Sequence, residues 1–377
     1  MNQSQSEAPY WITLAHLPKW GTEKINRLIV KIVHDFQLTL EAFFELAETD
    51  WRGQFMLSEK DIVDLTQAKN ELPNNAFLAE DLYTQGYEMI PLNAQAYSKI
   101  LKDNLKIKYA PPILYVKGNT QILQEDSIAI VGSRDASEIS LRFTDHLAKM
   151  ASEQYKVVVS GFAKGVDKQA LDSAIKYIGH SMIVLPQGIM TFTSGFKKYY
   201  REIAEGNILV LSIFHPKSVW STGLAMARNP IIYGLAKEVF VAQASETGGT
   251  WAGVMNGLKK GRTIYVRLPD KDEHNANRLL IQKGAIPVDF NGNPILEQIE
   301  IQASVSNAPS QIEDLVLQAI TQQPLTSKEI LKRTGLDQCD WTPKKLFDFL
   351  KKSDKIQIIH HPKNITFAPK SQRLTLF

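Results

Sequence analysis

One stretch limits what this 377-residue chain can become: Ser127 to Asp167. It opens with SIAIV, a short β-branched run that suits a buried strand. Gly132, Ser133 and Arg134 follow at once. Asp135, Ser137 and Ser140 then offer helix caps before Leu141, Leu147 and Met150 mark an apolar face. Val157 to Ser160 reads as a second buried strand, and it ends in Gly161. Two strand–loop–helix units in succession require a parallel α/β sheet, and in such sheets ligands sit outside the carboxyl ends of the strands. Both loops end there, each with glycine and one cation, Arg134 or Lys164. Glycine lets a backbone approach a phosphate, while the helix N-terminus and the cation hold its charge. The competing reading is a plain turn. Neither loop carries the dinucleotide fingerprint or a P-loop lysine.

The pattern continues along the chain. Strands are expected near Ile128, Val157, Met182, Ile208, Val239 and Thr263, with helices over Leu141 to Met150, Lys168 to Tyr177, Lys197 to Ala204, Gly223 to Leu235 and Gly249 to Lys260. That alternation predicts a Rossmann-like, doubly wound, mostly parallel sheet over 87–300. Its lead-in, Glu88 to Gly118, reads as a bridge with a helical turn at Tyr97 to Leu101. Pro111, Pro112 and ILYVKGN then form an extended edge segment. Before it, 1–86 reads as a helical module of the helix-hairpin, SAM-like type, with disorder expected over 1–9. Helices are expected over Tyr10 to Val30 (broken by Pro18 and Gly21), Leu40 to Leu46, Ser58 to Ala68 and Phe77 to Gly86. After a polar linker at Gln302 to Gln311, the segment 310–377 reads as three helices and a hairpin turning at Pro362 to Asn364, a winged-helix pattern. It carries eleven Lys and Arg against seven Asp and Glu. DNA and protein partners both suit it.

Further loops bear on a site. Ser212 to Thr222 carries His215, Lys217 and Trp220. Arg228 and Asn229 sit in an apolar helical segment, where an arginine usually snorkels to the surface. Gly248, Gly249 and Thr250 open a later helix and make an anion cradle. Because parallel strands emerge on one edge, Arg134 and Lys164 are expected to line one pocket with Arg228 at its rim. The candidate phosphate contacts are Gly132, Ser133, Arg134, Ser160, Gly161, Lys164, Gly165, Lys217, Arg228, Asn229, Gly248, Gly249 and Thr250.

Bulk composition narrows the classes. A net charge of +3 restricts any nucleic-acid surface to a local patch. The single cysteine, Cys339, permits no internal disulfide and no cysteine metal cluster, which suits a reducing cytoplasm. No stretch has the pattern of a signal peptide or the length of a membrane span. No Ser/His/Asp order, metal spacing or paired carboxylates stand out, so no catalytic residue, metal or cofactor is expected.

Taken together, VGSR at 131–134, SGFAKGVD at 160–167, ARNPIIYGLA at 227–236 and TGGTWAGVMNGLKKGRTIYV at 247–266 resemble the DNA-processing protein A (DprA, or Smf) family, as does PPILYVKGN before the first strand. The resemblance implies single-stranded DNA binding, a homodimer, and loading of a RecA-type recombinase during natural transformation. It maps Arg134, Arg228, Asn229, Gly248, Gly249 and Thr250 onto family motif positions, with Lys164 where the family usually has arginine. Departures are Leu171 after Ala170, the degraded PQGIMTFTSG at 186–195, Pro230 for a second arginine, and Gln243 for an acid. These leave open a recombination or phage-defence role, and the rival readings of a nucleotide-signal sensor or a phosphoribohydrolase-like enzyme. Against the enzyme, TGGTWAG lacks the glutamate that would follow the glycine loop in that superfamily. DNA binding needs cations and aromatic faces instead. Phe162, Phe192, Phe196, Tyr199, Tyr200 and Trp220 are candidates, most of them for core packing and one or two for bases.

Overall fold

β-Branched runs too short to be helices become the strands at the centre of the molecule. The computed structural model describes residues 6–295, 309–321, 323–334, 336, 341–361 and 364–370. Six helices come first: α1 (Ala8–Ala15), α2 (Thr22–Val30), α3 (Leu40–Glu45), α4 (Glu48–Gly53), α5 (Glu59–Asn70) and α6 (Leu72–Thr84). The helix at 8–15 replaces the disorder expected up to residue 9, because Trp11, Ile12 and Leu14 give it a buried face; residues 1–5 lie outside the described residues. The segment read as a bridge contains β1 (Glu88–Pro91), α7 (Lys99–Tyr109) and β2 (Ile113–Gly118). Then follow β3 (Ser127–Val131), α8 (Glu138–Glu153), β4 (Val157–Ser160), α9 (Val166–Lys176), β5 (Ser181–Val184), α10 (Thr193–Lys198), α11 (Tyr200–Ala204) and β6 (Ile208–Ser212). After these come α12 (Thr222–Gly234), β7 (Glu238–Val241), α13 (Gly249–Lys259), β8 (Ile264–Arg267), α14 (Asn277–Gln282) and β9 (Ile286–Val288).

The nine strands form one sheet in the order β1-β2-β6-β5-β4-β3-β7-β8-β9. From β6 to β9 every pairing is parallel, whereas β2 runs antiparallel to both β1 and β6. β2 is therefore an inner strand, and β1 is the edge. The two prolines that suggested an edge precede β2 and cost it no ladder donor.

Alternation along β3 explains the layers. Ile128 and Ile130 pack with Phe143 and Leu147 of α8 on one face, while Ala129 and Val131 join the opposite cluster with Ile231 and Ile232 of α12. A sheet covered by helices on both faces is the α/β arrangement that the sequence pattern predicts. α8 starts at Ser137, whose hydroxyl accepts from the Ser140 amide. The N-terminal helices share one apolar cluster with Ile113 and Tyr115 of β2, Ile183 of β5 and Ile208 of β6. The His16 ring and the Tyr115 hydroxyl lie 2.9 Å apart in that seam, and Asn26 donates to the Ile107 and Ala110 carbonyls.

The C-terminal residues form α15 (Pro309–Ile320), β10 (Leu325–Thr326), α16 (Ser327–Thr334), α17 (Pro343–Leu350), β11 (Ile356–His360) and β12 (Ile365–Pro369). The strands make a separate antiparallel sheet, β10-β12-β11, over a cluster containing Val316, Ile330, Leu346 and Phe367. α15 begins at Pro309, inside the expected linker, since proline is favoured in a first helical turn. The linker at 302–308, Cys339 and the hairpin turn at Pro362 lie outside the described residues.

Candidate functional site

β3 is the first strand of the parallel series, and β7 is its neighbour although three strands separate them in the chain. The chain winds outward from β3 to β6, then returns to start again at β7. Connections leaving in opposite directions open a crevice at the carboxyl ends of these two strands. A cavity of about 410 Å³ lies there. Gly132, Ser133 and Arg134 line it from β3, Arg228, Asn229 and Tyr233 from α12, and Gly248, Gly249 and Thr250 from the start of α13.

Its floor is charged and buried. Arg228 is only 5 % exposed, contrary to the expected snorkelling. α12 packs against β5, α7 and α13, and Arg228 faces inward from it, at the floor of the cavity. Its Nη1 donates to the Val184 carbonyl at 2.7 Å. Asp167, in the first turn of α9, is buried beside it. Burial pulls the Arg228 pKa down, Asp167 works against that, and Arg134 adds to it. Burial pushes the Asp167 carboxyl up, opposed by Arg228 and by hydrogen bonding from the Ala163 and Gly161 amides. Gly161 makes their close approach possible: a Cβ there would sit 1.9 Å from Arg228 Nη1 and 2.6 Å from Asp167 Oδ2. Among the described residues, Arg228 Nε and the Tyr233 hydroxyl are buried without a hydrogen-bond partner.

The rim is of another kind. Arg134 is exposed, and among the described residues its guanidinium makes no ion pair. Lys164 is 82 % exposed, with Nζ 3.8 Å from Asp135 Oδ1. Arg134 and Lys164 both line an open depression of about 590 Å³ beside the cavity, and Arg134 lines both hollows. The expected single pocket is thus two adjoining ones that share Arg134, with Arg228 at the floor rather than the rim. Gly165 joins their walls. Its φ of 82° suits glycine, and a Cβ would meet the Ser133 carbonyl at 2.3 Å.

Other sequence candidates fall elsewhere. Ser160 is buried and donates to the Ile130 carbonyl. Ser160 and Gly161 line neither hollow. Lys217 is exposed on a loop whose His215 meets His16 edge-on at 5.3 Å, and it too lies outside both. Phe162, Phe192, Phe196 and Tyr199 pack on one another. Tyr200 and Trp220 are the exposed pair, at 74 % and 52 %. The sequence departures have local reasons. Leu171 is buried in the apolar cluster that the N-terminal helices share with β2, β5 and β6. Gln243 accepts from the Ser137 amide and the Ser140 hydroxyl and donates to the Asp135 carbonyl, so it ties the VGSR loop to α8. An acid could accept these bonds but not donate the last. Asp135, Gln243 and Tyr233 were not marked as contacts by the sequence. Only their places at the ends of β3 and β7 and one helical turn past Asn229 could have found them.

Among the described residues, no three His, Cys, Asp or Glu converge as a metal site, and no helix is long and apolar enough to cross a membrane.

The family described as DNA recombination-mediator protein A matches residues 88–300. The DNA processing protein DprA of Streptococcus pneumoniae is 30 % identical over 205 residues, 52 % of this chain and 70 % of the relative. That of Bacillus subtilis is 28 % identical over 219 residues, 57 % of this chain and 72 % of the relative. The crystal structure of S. pneumoniae DprA is similar in fold, with a TM-score of 0.56 at 22 % identity, covering 79 % of this chain and 96 % of that one. A structure addressing the single-stranded DNA binding mode of DNA processing protein A from Helicobacter pylori matches with a TM-score of 0.46 at 25 % identity, over 58 % of this chain and 95 % of that one.

Proposed function

The chain belongs to the DNA recombination-mediator protein A family, and from that premise we propose that it binds single-stranded DNA, phosphates first, at the cavity between β3 and β7. The carrying observation is the cavity's make-up. An exposed arginine stands at the rim, a buried arginine lies on the floor, and the N-terminus of an eleven-residue helix opens beside them at Gly248 and Gly249. Arg134 is the first phosphate contact, the α13 amides are the second, and Asn229 holds the α13 start through the Gly249 carbonyl. Arg228 and Tyr233 lie beneath that contact, on the floor of the cavity. Trp220 and Tyr200 are the exposed faces on which bases can stack.

The wider role follows the family: a cytoplasmic homodimer that protects single strands and hands them to a RecA-type recombinase, with no catalytic step. Three units carry it, 1–86, 87–300 and 310–377. The apolar cluster that spans the first boundary makes the N-terminal helices a support for the sheet rather than a separate tether.

One observation favours a second reading. A 410 Å³ cavity is in the range for one small molecule, and its floor holds a buried acid, Asp167. A free nucleotide or nucleotide signal fits that description. Titration by fluorescence anisotropy separates the two. On the DNA reading, a labelled oligothymidylate binds and excess mononucleotide displaces it poorly. Mononucleotide binding with no oligonucleotide binding overturns it.

A further inference from the structure

The switch-point cavity does not end at Arg134. Arg134 and Asp135 line it and also the open depression beside it. Leu141 and Gln169 line that depression and also a third hollow along the exposed sides of α8 and α9, which ends at Phe290. Shared walls make the three hollows one trough. It runs from the carboxyl ends of β3 and β7, over the VGSR loop, and down the seam between the two helices.

Its charge is uneven in one direction. Six cations line the second and third hollows against four carboxylates, Asp135, Glu138, Asp145 and Asp172. In the third hollow the cations are Arg142, Lys149 and Lys176. Arg142 is exposed and makes no ion pair among the described residues. Lys149 reaches Glu153 at 3.7 Å, and Lys176 reaches Asp145 at 3.4 Å. Both are solvent-facing pairs, which contribute little and exchange readily for a phosphate. Asp145 keeps its partners Ser173 and Tyr177 when Lys176 turns away.

We propose that the α8–α9 seam is a second DNA subsite. It carries the continuation of a single strand whose leading phosphate occupies the switch-point cavity, and it rests on the reading given above. From Glu138 to Lys149 the seam follows about 16 Å of helix, room for about five nucleotides at a stacked spacing of about 3.4 Å. The occupant is the same strand rather than a separate ligand, because the hollows share walls and because a modest cation excess adds to an existing anchor better than it creates one.

The test compares wild type with the triple variant Arg142→Ala, Lys149→Ala, Lys176→Ala, using oligothymidylates of about four and about twelve nucleotides. The three side chains are exposed, so an unchanged melting temperature certifies the fold. The number of binding registers is the same for both proteins and cancels. The proposal expects equal affinity for the short strand and about tenfold weaker binding of the long strand by the variant, with a salt slope reduced by about 2 for three lost phosphate contacts. Equal binding of the long strand by both proteins, with an equal slope, overturns the subsite and leaves the switch-point reading intact. Failure of wild type to bind either strand overturns both. Weaker binding of the short strand as well contradicts the subsite, since those cations would then act at the anchor itself.

Discussion

Arg228 and Arg134 line the same cavity and bear the same charge, yet they are different kinds of residue. Arg228, on α12, is buried beside Asp167 and donates Nη1 to the Val184 carbonyl of β5. Arg134 is exposed and, among the described residues, makes no ion pair. A buried charge is held by what surrounds it, and removing it strands its partner. An exposed charge costs little to place, and its loss is felt only by a ligand. Burial, more than charge, therefore decides whether a substitution is read in folding or in binding.

The largest effect should come from removing the buried arginine. Arg228→Ala leaves Asp167 uncompensated and should lower unfolding free energy by about 3–5 kcal/mol, measured by urea denaturation. Adding Asp167→Asn should restore part of it. If the single variant is as stable as wild type, the two arginines do not differ as argued. At the rim, Arg134→Ala should leave stability within about 0.5 kcal/mol of wild type. It should weaken single-stranded DNA binding by about 1.5–3 kcal/mol, similarly for all base sequences. A fall in stability instead would erase the contrast.

The same burial logic acts at His16 in the seam with β2. Burial lowers its pKa to about 3 from 6.5. The unfolded chain takes up this proton first as pH falls, so stability is lost from pH 6.5 downward, by roughly 1 kcal/mol per pH unit. Comparing wild type with His16→Gln at pH 7 and pH 5 isolates it from Asp167, whose raised pKa acts with the opposite sign. An equal loss in both proteins would remove His16 from the account. The smallest effect belongs to Lys164→Ala. The side chain is 82 % exposed and already near Asp135, so its loss should cost at most about 1 kcal/mol of affinity. A loss as large as that of Arg134→Ala would merge the two hollows into one site.

These differences also mark what the sequence could convey. Strands β3 to β8 were legible because each holds three or four consecutive apolar residues at βα spacing. β1 and β9 were not: EMIP and IPV are three or four residues long and carry proline, which argues against a strand except at an edge, and both are edges. α7 outran its expected single turn because Leu101 and Leu105 bury one side while its lysines stay outside. For Arg228 the local sequence does not say which side of the helix it takes. α12 leaves Met226 and Ala227 exposed while Ala225, Ile231 and Ile232 are buried, so the burial of Arg228 depends on which side of the helix meets the sheet. Strand order, which brings Val131 beside Val241 and Arg134 to the cavity, depends on contacts far apart in the chain and has no local signature.

The central claim is that a phosphate meets Arg134 at the switch point. Its most direct test is the salt dependence of oligothymidylate binding by wild type and by folded Arg134→Ala. Each neutralised phosphate contributes about 0.7 to the slope of log affinity against log salt on a single strand. The account predicts a steep slope for wild type and one shallower by about 0.7 for the variant. Parallel slopes with equal affinities would place the phosphates elsewhere and contradict it.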